Sequence, residues 1–186
     1  MEKLVIDTET TGLSPRINNI LTVGMLYVDV EKDYLEIIDS KHLFIKHLSG
    51  NVNPIALKIN KIDINEHNKT AVIPRLACKK INKFIDKNSL HETILLGHNI
   101  NFDKNFLSAL FNKNGLEPIF HHEYEDTMHL WRGLQRKGLV PYGKSNLKTI
   151  SNHFKIDYSK AHDALEDCQI TANVYQRILN LSQQSI

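Results

Sequence analysis

The feature that most constrains this chain is a short apolar run ending in acids and a glycine. Lys3-Leu4-Val5-Ile6 reads as a buried strand and leads directly into Asp7-Thr8-Glu9-Thr10-Thr11-Gly12. In an extended strand residues i and i+2 share a face, so Asp7 and Glu9 present two carboxylates side by side. Anions this close repel, and the next cation along the chain is Arg16. A hard divalent cation would remove that conflict. Gly12 then lets the backbone turn sharply. Taken alone, Asp-x-Glu describes an acidic strand edge equally well.

A buried strand needs partners, and the sequence offers them in order. Residues 20–29 and 34–45 read as two further strands, with Leu21, Val23, Met25 and Tyr27 alternating against Thr22, Gly24 and Leu26, and their short connections favour antiparallel pairing. Asn53-Pro54 opens a short helix through Ile59, and apolar positions at helical spacing predict a longer one from Ala71 to Ile85. Thr93 to Asn99 repeats the opening theme, an apolar run ending in Gly97-His98-Asn99. It is followed by a helix from Asn101 to Lys113, whose first turn carries Asp103. A carboxylate there is favoured by free backbone N–H groups whether or not it has chemistry to do. A last strand is expected over 123–127, then helices to about Gln135, from Asn146 to Phe154 with Ser145 as cap, and from Ala164 onward. With 186 residues, 41% apolar and 24% charged, the expectation is a single domain over 1–186 with a substantial core.

Between Asp126 and Asp157 there is no acidic residue, while Arg132, Arg136, Lys137, Lys144, Lys148 and Lys155 all fall inside. This is a solvated basic face or a track for phosphates. Within it, Gly138 to Ser145 matches the phosphate-loop pattern G-x-x-x-x-G-K-S, which has meaning only between a buried strand and a helix. Leu130 to Lys137 is helical and basic instead, so the segment reads as a loop, with a nucleotide hydrolase kept as an alternative.

In Ala161-His162-Asp163-Ala164-Leu165-Glu166-Asp167, Asp163 and Glu166 have the form of a capping box that starts the final helix. His162 then lies just outside the helix mouth and Asp167 one turn inside. The chain thus supplies Asp7 with Glu9, Asp103 and Asp167 at separate strand and helix ends, plus one imidazole. Oxygen ligands without cysteine suit two Mg²⁺ (or Mn²⁺). Four carboxylates can hold two such ions for an in-line phosphodiester displacement, and a neutral histidine can deprotonate the attacking water.

These motifs, Asp7-Thr8-Glu9-Thr10-Thr11-Gly12, then Gly97-His98-Asn99 with Phe102-Asp103 and Phe106-Leu107, then His162-x-Ala164-x-x-Asp167, together resemble the three exonuclease motifs of the DEDDh family. The resemblance covers nearly the whole chain. It implies a ribonuclease H-like α/β fold with a mixed five-stranded sheet flanked by helices, and 3′-to-5′ release of nucleoside 5′-monophosphates from single-stranded or frayed DNA or RNA ends. It assigns Asp7, Glu9, Asp103 and Asp167 to the metals and His162 to general base. It places Thr8, Thr10, Gly12, Leu13, Asn99 and Phe102 around the terminal nucleotide, and gives Asp126-Thr127 a structural role. Many relatives carry a glycine in the segment matching Lys58 to Ile62, where this chain has Asn60-Lys61, which leaves contacts from that loop open.

The resemblance admits a homodimer. A polymerase partner is possible through another surface but is not indicated by a tail, since only a few residues, ending Gln183-Gln184-Ser185-Ile186, are expected after the last helix. A catalytically silent nucleic-acid-binding module of the same fold is the other alternative. Net charge is +2, which decides nothing by itself. Cys78 and Cys168 form no Cys-x-x-Cys pair and fit a reducing compartment. No leader pattern follows Met1, and no apolar run approaches the roughly 20 residues of a membrane span. A soluble, cytoplasmic protein with no membrane partner is therefore expected.

Overall fold

The structure, a computed structural model, describes residues 1–183; Gln184, Ser185 and Ile186 of the tail lie outside the described residues. Strand β1 spans Glu2–Thr10, β2 Ile20–Glu31, β3 Tyr34–Phe44, β4 Leu95–Gly97 and β5 Tyr124–Asp126. They form one sheet in the order β3-β2-β1-β4-β5. The pairs β1–β2 and β2–β3 are antiparallel, and β1–β4 and β4–β5 are parallel. This is the mixed five-stranded sheet that the sequence implies. β1 runs further than its apolar residues alone predict, because Asp7 and Glu9 continue the ladder opposite Gly24 and Thr22. The register shifts between Glu9 and Thr10, so the ladder is interrupted where the acids end.

The helices are α1 Pro54–Asn60, α2 Ile64–Thr70, α3 Pro74–Lys87, α4 Asn101–Lys113, α5 Thr127–Arg136, α6 Leu147–His153 and α7 Ala164–Gln183. The helix expected over 71–85 is displaced: Ala71 caps α2, and α3 starts at Pro74, which fits the first turn of a helix because its missing N–H needs no partner there. α2 has too few apolar residues for its periodicity to be read. Ser145 is not a cap. The Asn146 side chain accepts from Thr149 N at 2.9 Å, and Ser145 Oγ instead meets Gln135. Only half of the expected capping box forms. Asp163 Oδ1 accepts from Leu165 N and Glu166 N, while Glu166 lies 3.5 Å from Lys160.

Helices cover both sheet faces. On one face Leu4, Ile6 and Met25 join Ile81, Phe84, Phe106 and Phe111 of α3 and α4. On the other, Val5, Leu26 and Leu96 join Cys168, Ala172 and Tyr175 of α7. β2 is therefore buried continuously from Ile20 to Val28, and its alternation separates two cores instead of core from solvent. A third cluster around Trp131, Ile150 and Val174 ties α5 and α6 to α7. Among the described residues no helix is long and apolar enough to cross a membrane.

Candidate active site

The period of β1 distributes its polar end between two helices. Val5 belongs to the α7 side, so Asp7 and Glu9 share that face, while Leu4 and Ile6 belong to the α4 side, which Thr8 shares. Accordingly Thr8 Oγ1 donates to Asp103 Oδ1 of α4 at 2.7 Å. The start of α4 is fixed by Asp126, whose carboxylate accepts from Asn99 N, Ile100 N and Met128 N. Gly97 leaves room for this turn, since a Cβ there would stand 2.7 Å from Ile100 Cβ. The Asp126-Thr127 pair thus acts structurally, with Thr127 Oγ1 donating to Gly97 O.

On the opposite side, α7 approaches β2 so closely that a Cβ on Gly24 would lie 2.2 Å from the Ala164 carbonyl oxygen. That approach carries Asp167 to the end of β1. His162 takes a left-handed backbone (φ 74°), in which its N–H donates to Asp167 Oδ2 at 3.1 Å. Histidine is among the residues that adopt this conformation more readily than most. One ligand atom each from Glu9, His162 and Asp167 lie within 4.8 Å of one another.

The cluster is short of positive charge. Among the described residues none of Asp7, Glu9, Asp103 and Asp167 belongs to an ion pair. Burial, then Asp103, Asp167 and Glu9, push the Asp7 carboxyl well above its ordinary range. Burial and the charges of Asp167 and Asp103 raise Glu9 to about 8, against a hydrogen bond from Asn60. Burial raises Asp103 to about 7 despite the Thr8 hydroxyl, and Asp167 to about 6 despite the His162 N–H. His162 moves the other way, lowered by burial and then by Lys61 and Lys148. Asp167 Oδ1 is buried without a hydrogen-bond partner. An excess of carboxylate, one orphaned oxygen and converging donor atoms fit a divalent cation, which would satisfy the oxygen and reverse the repulsion.

Beside the acids lies a cleft of about 220 Å³. Of the predicted nucleotide contacts, Thr8, Thr10, Gly12, Leu13 and Phe102 line it. Asn99 does not: its left-handed turn (φ 61°) serves the start of α4, and its side chain is exposed. The two threonine hydroxyls are already used, Thr8 by Asp103 and Thr10 by the Gly12 carbonyl, so these residues shape the cleft and are not free to donate elsewhere. Leu13 is 81% exposed at the rim. The far wall is α1, with Ile55, Ile59 and Asn60; the sequence marks Asn60 only as a departure from relatives and leaves its contacts open. Asn60 Nδ2 donates to Thr10 O at 3.2 Å, and Lys61 adopts the left-handed conformation (φ 57°) that a glycine favours, so the loop keeps its path with a lysine in place. Asp163, read in the sequence only as a helix cap, also adds negative charge to Asp7 and Glu9.

A mixed sheet that gathers four carboxylates and an imidazole at the end of its central strand, beside an apolar cleft, defines a metal-site hydrolase of the α/β class. The chain belongs to the exonuclease family, whose model matches residues 4–175, and the fold and motifs are those of DEDD 3′-to-5′ exonucleases, which depend on divalent metal. It is 31% identical over 185 residues to ribonuclease T of Buchnera aphidicola subsp. Schizaphis graminum, covering 95% of this chain and 82% of that protein. A DNA polymerase III of PolC type from Ureaplasma parvum is 29% identical over 180 residues, which cover 95% of this chain and 11% of that protein. Among solved structures, E. coli exonuclease I in complex with a dT13 oligonucleotide superimposes with a TM-score of 0.85 at 18% identity over 99% of this chain. This chain spans about two-fifths of that enzyme, 42% of its length, and the likeness establishes the ribonuclease H-like exonuclease fold.

Proposed function

We propose that this chain removes nucleotides one at a time from the 3′ end of single-stranded or frayed DNA or RNA, releasing nucleoside 5′-monophosphates. The convergence of one ligand atom each from Glu9, His162 and Asp167 within 4.8 Å, with Glu9 also lining the apolar cleft, carries this reading. Leu13, Ile55, Ile59 and Phe102 supply apolar surface against which a terminal base can pack. Asp7, Glu9, Asp103 and Asp167 are the residues to hold metal. When bound there, two Mg²⁺ (or Mn²⁺) would neutralise the negative charge that develops around the phosphate. His162, kept neutral near pH 7 by burial and by Lys61 and Lys148, accepts a proton from water at a ring nitrogen. The water oxygen then bonds to phosphorus as the bond to the upstream 3′ oxygen breaks. That oxygen takes up a proton, leaving a strand one nucleotide shorter with a free 3′ hydroxyl.

The test is a time course on 5′-labelled single-stranded DNA and RNA of matched sequence, with Mg²⁺ or Mn²⁺, beside a chelator control. A ladder shortening from the 3′ end, abolished by Asp7→Ala and by chelation, is expected. His162→Ala should lower kcat by about 10²–10⁴-fold while metal binding persists. Near-wild-type kcat for His162→Ala across pH would refute the general-base role, and no ladder with either metal would refute the exonuclease reading.

A further inference from the structure

The loop that carries the phosphate-loop-like pattern, residues 138–146, connects α5 to α6 and follows a helix, not a strand. It is not loose. Gln135, buried on α5, donates through Nε2 to the carbonyls of Pro141 and Gly143 at 3.1 and 3.2 Å, and its Oε1 accepts from Ser145 Oγ at 3.3 Å. Between the two tethered carbonyls stands Tyr142, 92% exposed. A large aromatic ring is thus held out in solvent by a buried amide that fixes the backbone on both sides of it. Such a presentation lowers the entropy lost when something stacks on the ring.

The surroundings select what that is. Arg132, Arg136, Tyr142 and Lys144 line a cleft of about 430 Å³. Among the described residues neither these three cations nor Lys148, one turn further on, belongs to an ion pair. Residues beside the cleft reach toward the acidic site. The Ser145 backbone bonds to His98, which Arg132 also faces, and His98 sits at the end of β4 just before α4. Lys148 lies close enough to His162 to act on its charge. Lys144, in the aromatic cleft, and Lys148, which acts on His162, thus join the cleft to the histidine, while Ile55 and Ile59 of α1 line the separate cleft for a terminal base.

We infer that the Tyr142 cleft binds the single strand upstream of the bond being cut, with a base stacked on Tyr142 and backbone phosphates on Arg132, Arg136 and Lys144. A planar base against an exposed ring, with unpaired cations at the rim, is the chemistry of single-strand binding without sequence preference. The inference rests on the exonuclease reading for the direction of the strand, and its test separates the two. Wild-type turnover of a thymidine dinucleotide, which has a single nucleoside upstream of its one scissile bond, judges the exonuclease reading by itself. Comparison with a twelve-nucleotide oligothymidylate judges this one.

Tyr142→Ala is expected to lower the ratio of kcat/KM for the long over the short substrate about tenfold, through KM, with Tyr142→Phe restoring it. In the absence of divalent metal, the affinity for a fluorescein-labelled copy of the long strand, read by anisotropy, should fall by a similar factor. That readout requires no turnover. Replacing Arg132, Arg136 and Lys144 together by alanine should reduce the slope of log affinity against log salt by about 2, since each phosphate contact on a single strand contributes roughly 0.7. An unchanged ratio and anisotropy in Tyr142→Ala, or equal losses on both substrates, would overturn the assignment.

Discussion

At the scale of single residues the acidic cluster is tuned by neutral neighbours. Burial raises the Asp103 carboxyl, and the 2.7 Å bond from the Thr8 hydroxyl opposes that rise by stabilising the ionised form. Thr8→Val keeps the shape of the strand but removes the donor. Asp103 should then be harder to ionise, and the apparent affinity for Mg²⁺ at pH 7 should fall about 10–100-fold, as when an outer partner of a ligand is lost. Thr8→Ser should retain most of it. Isothermal titration with Mg²⁺ reads this directly, and equal affinities for Thr8→Val and wild type would show that the bond matters only for packing. The acids themselves were legible because Asp-x-Glu and His-x₄-Asp are local patterns. Thr8 was legible as a site position, but its actual partner lies 95 residues away, and no local pattern reports that. The action of Asn60 and Asp163 on Glu9 is illegible for the same reason: the sequence shows one as a departure from relatives and the other as a cap, while each reaches Glu9 through space from another part of the chain.

Elements hold the site by close approach. Gly24 pairs with Asp7 across β1–β2, and its missing side chain lets the first turn of α7 rest on the sheet. Adding a methyl group 2.2 Å from a carbonyl oxygen forces backbone apart from backbone, and no rotamer change can relieve it. Gly24→Ala should cost about 1–3 kcal/mol of stability. Because the helix that must shift carries Asp167 and is preceded by His162, it should also lower kcat far more than a core substitution of similar cost, such as Ile178→Val. Denaturant unfolding and steady-state kinetics on both variants decide the matter, and proportionate losses in the two would remove the special role of this contact. In sequence Gly24 reads as one position, with Thr22 and Leu26, on the second face of an alternating strand. Its role depends on a strand covered on both faces, which alternation does not report. The displaced start of α3 has a similar origin, since the 71–85 pattern is compatible with a helix throughout and only Pro74 marks where the first turn must lie.

At the scale of the whole molecule, folding brings together carboxylates that water would keep apart, so stability should depend on pH and metal in a definite direction. Glu9, Asp103 and Asp167 rise to about 8, 7 and 6, and Asp7 is raised with them. Unfolded, each ionises near 4. Between pH 4 and 8 the metal-free folded chain therefore holds more protons at these sites than the unfolded chain, and their contribution to stability is lost as pH rises. His98, lowered to about 4 by burial, and His42, His47 and His162, lowered in the same direction, act oppositely, because the unfolded chain protonates them first as pH falls through about 6.5. The two sets oppose each other below about pH 6.5, and above it the carboxylates prevail, joined toward pH 8 by the buried thiols of Cys78 and Cys168, which are raised and act in the same direction. Metal-free protein should thus lose thermal stability from pH 6.5 to 8. Saturating Mg²⁺ or Mn²⁺, which favours the ionised acids, should abolish that decline and raise Tm more at pH 8 than at pH 6.5. Asp7→Asn should flatten the metal-free profile and reduce the gain from metal, because one buried charge and its repulsions are gone. Thermal melts with and without chelator across this window test the expectation. A chelated Tm that is constant or rises toward pH 8, or a metal-induced gain independent of pH, would mean that the four carboxylates do not share one field, and the assignment of Asp7, Glu9, Asp103 and Asp167 to a common metal centre would fail with it.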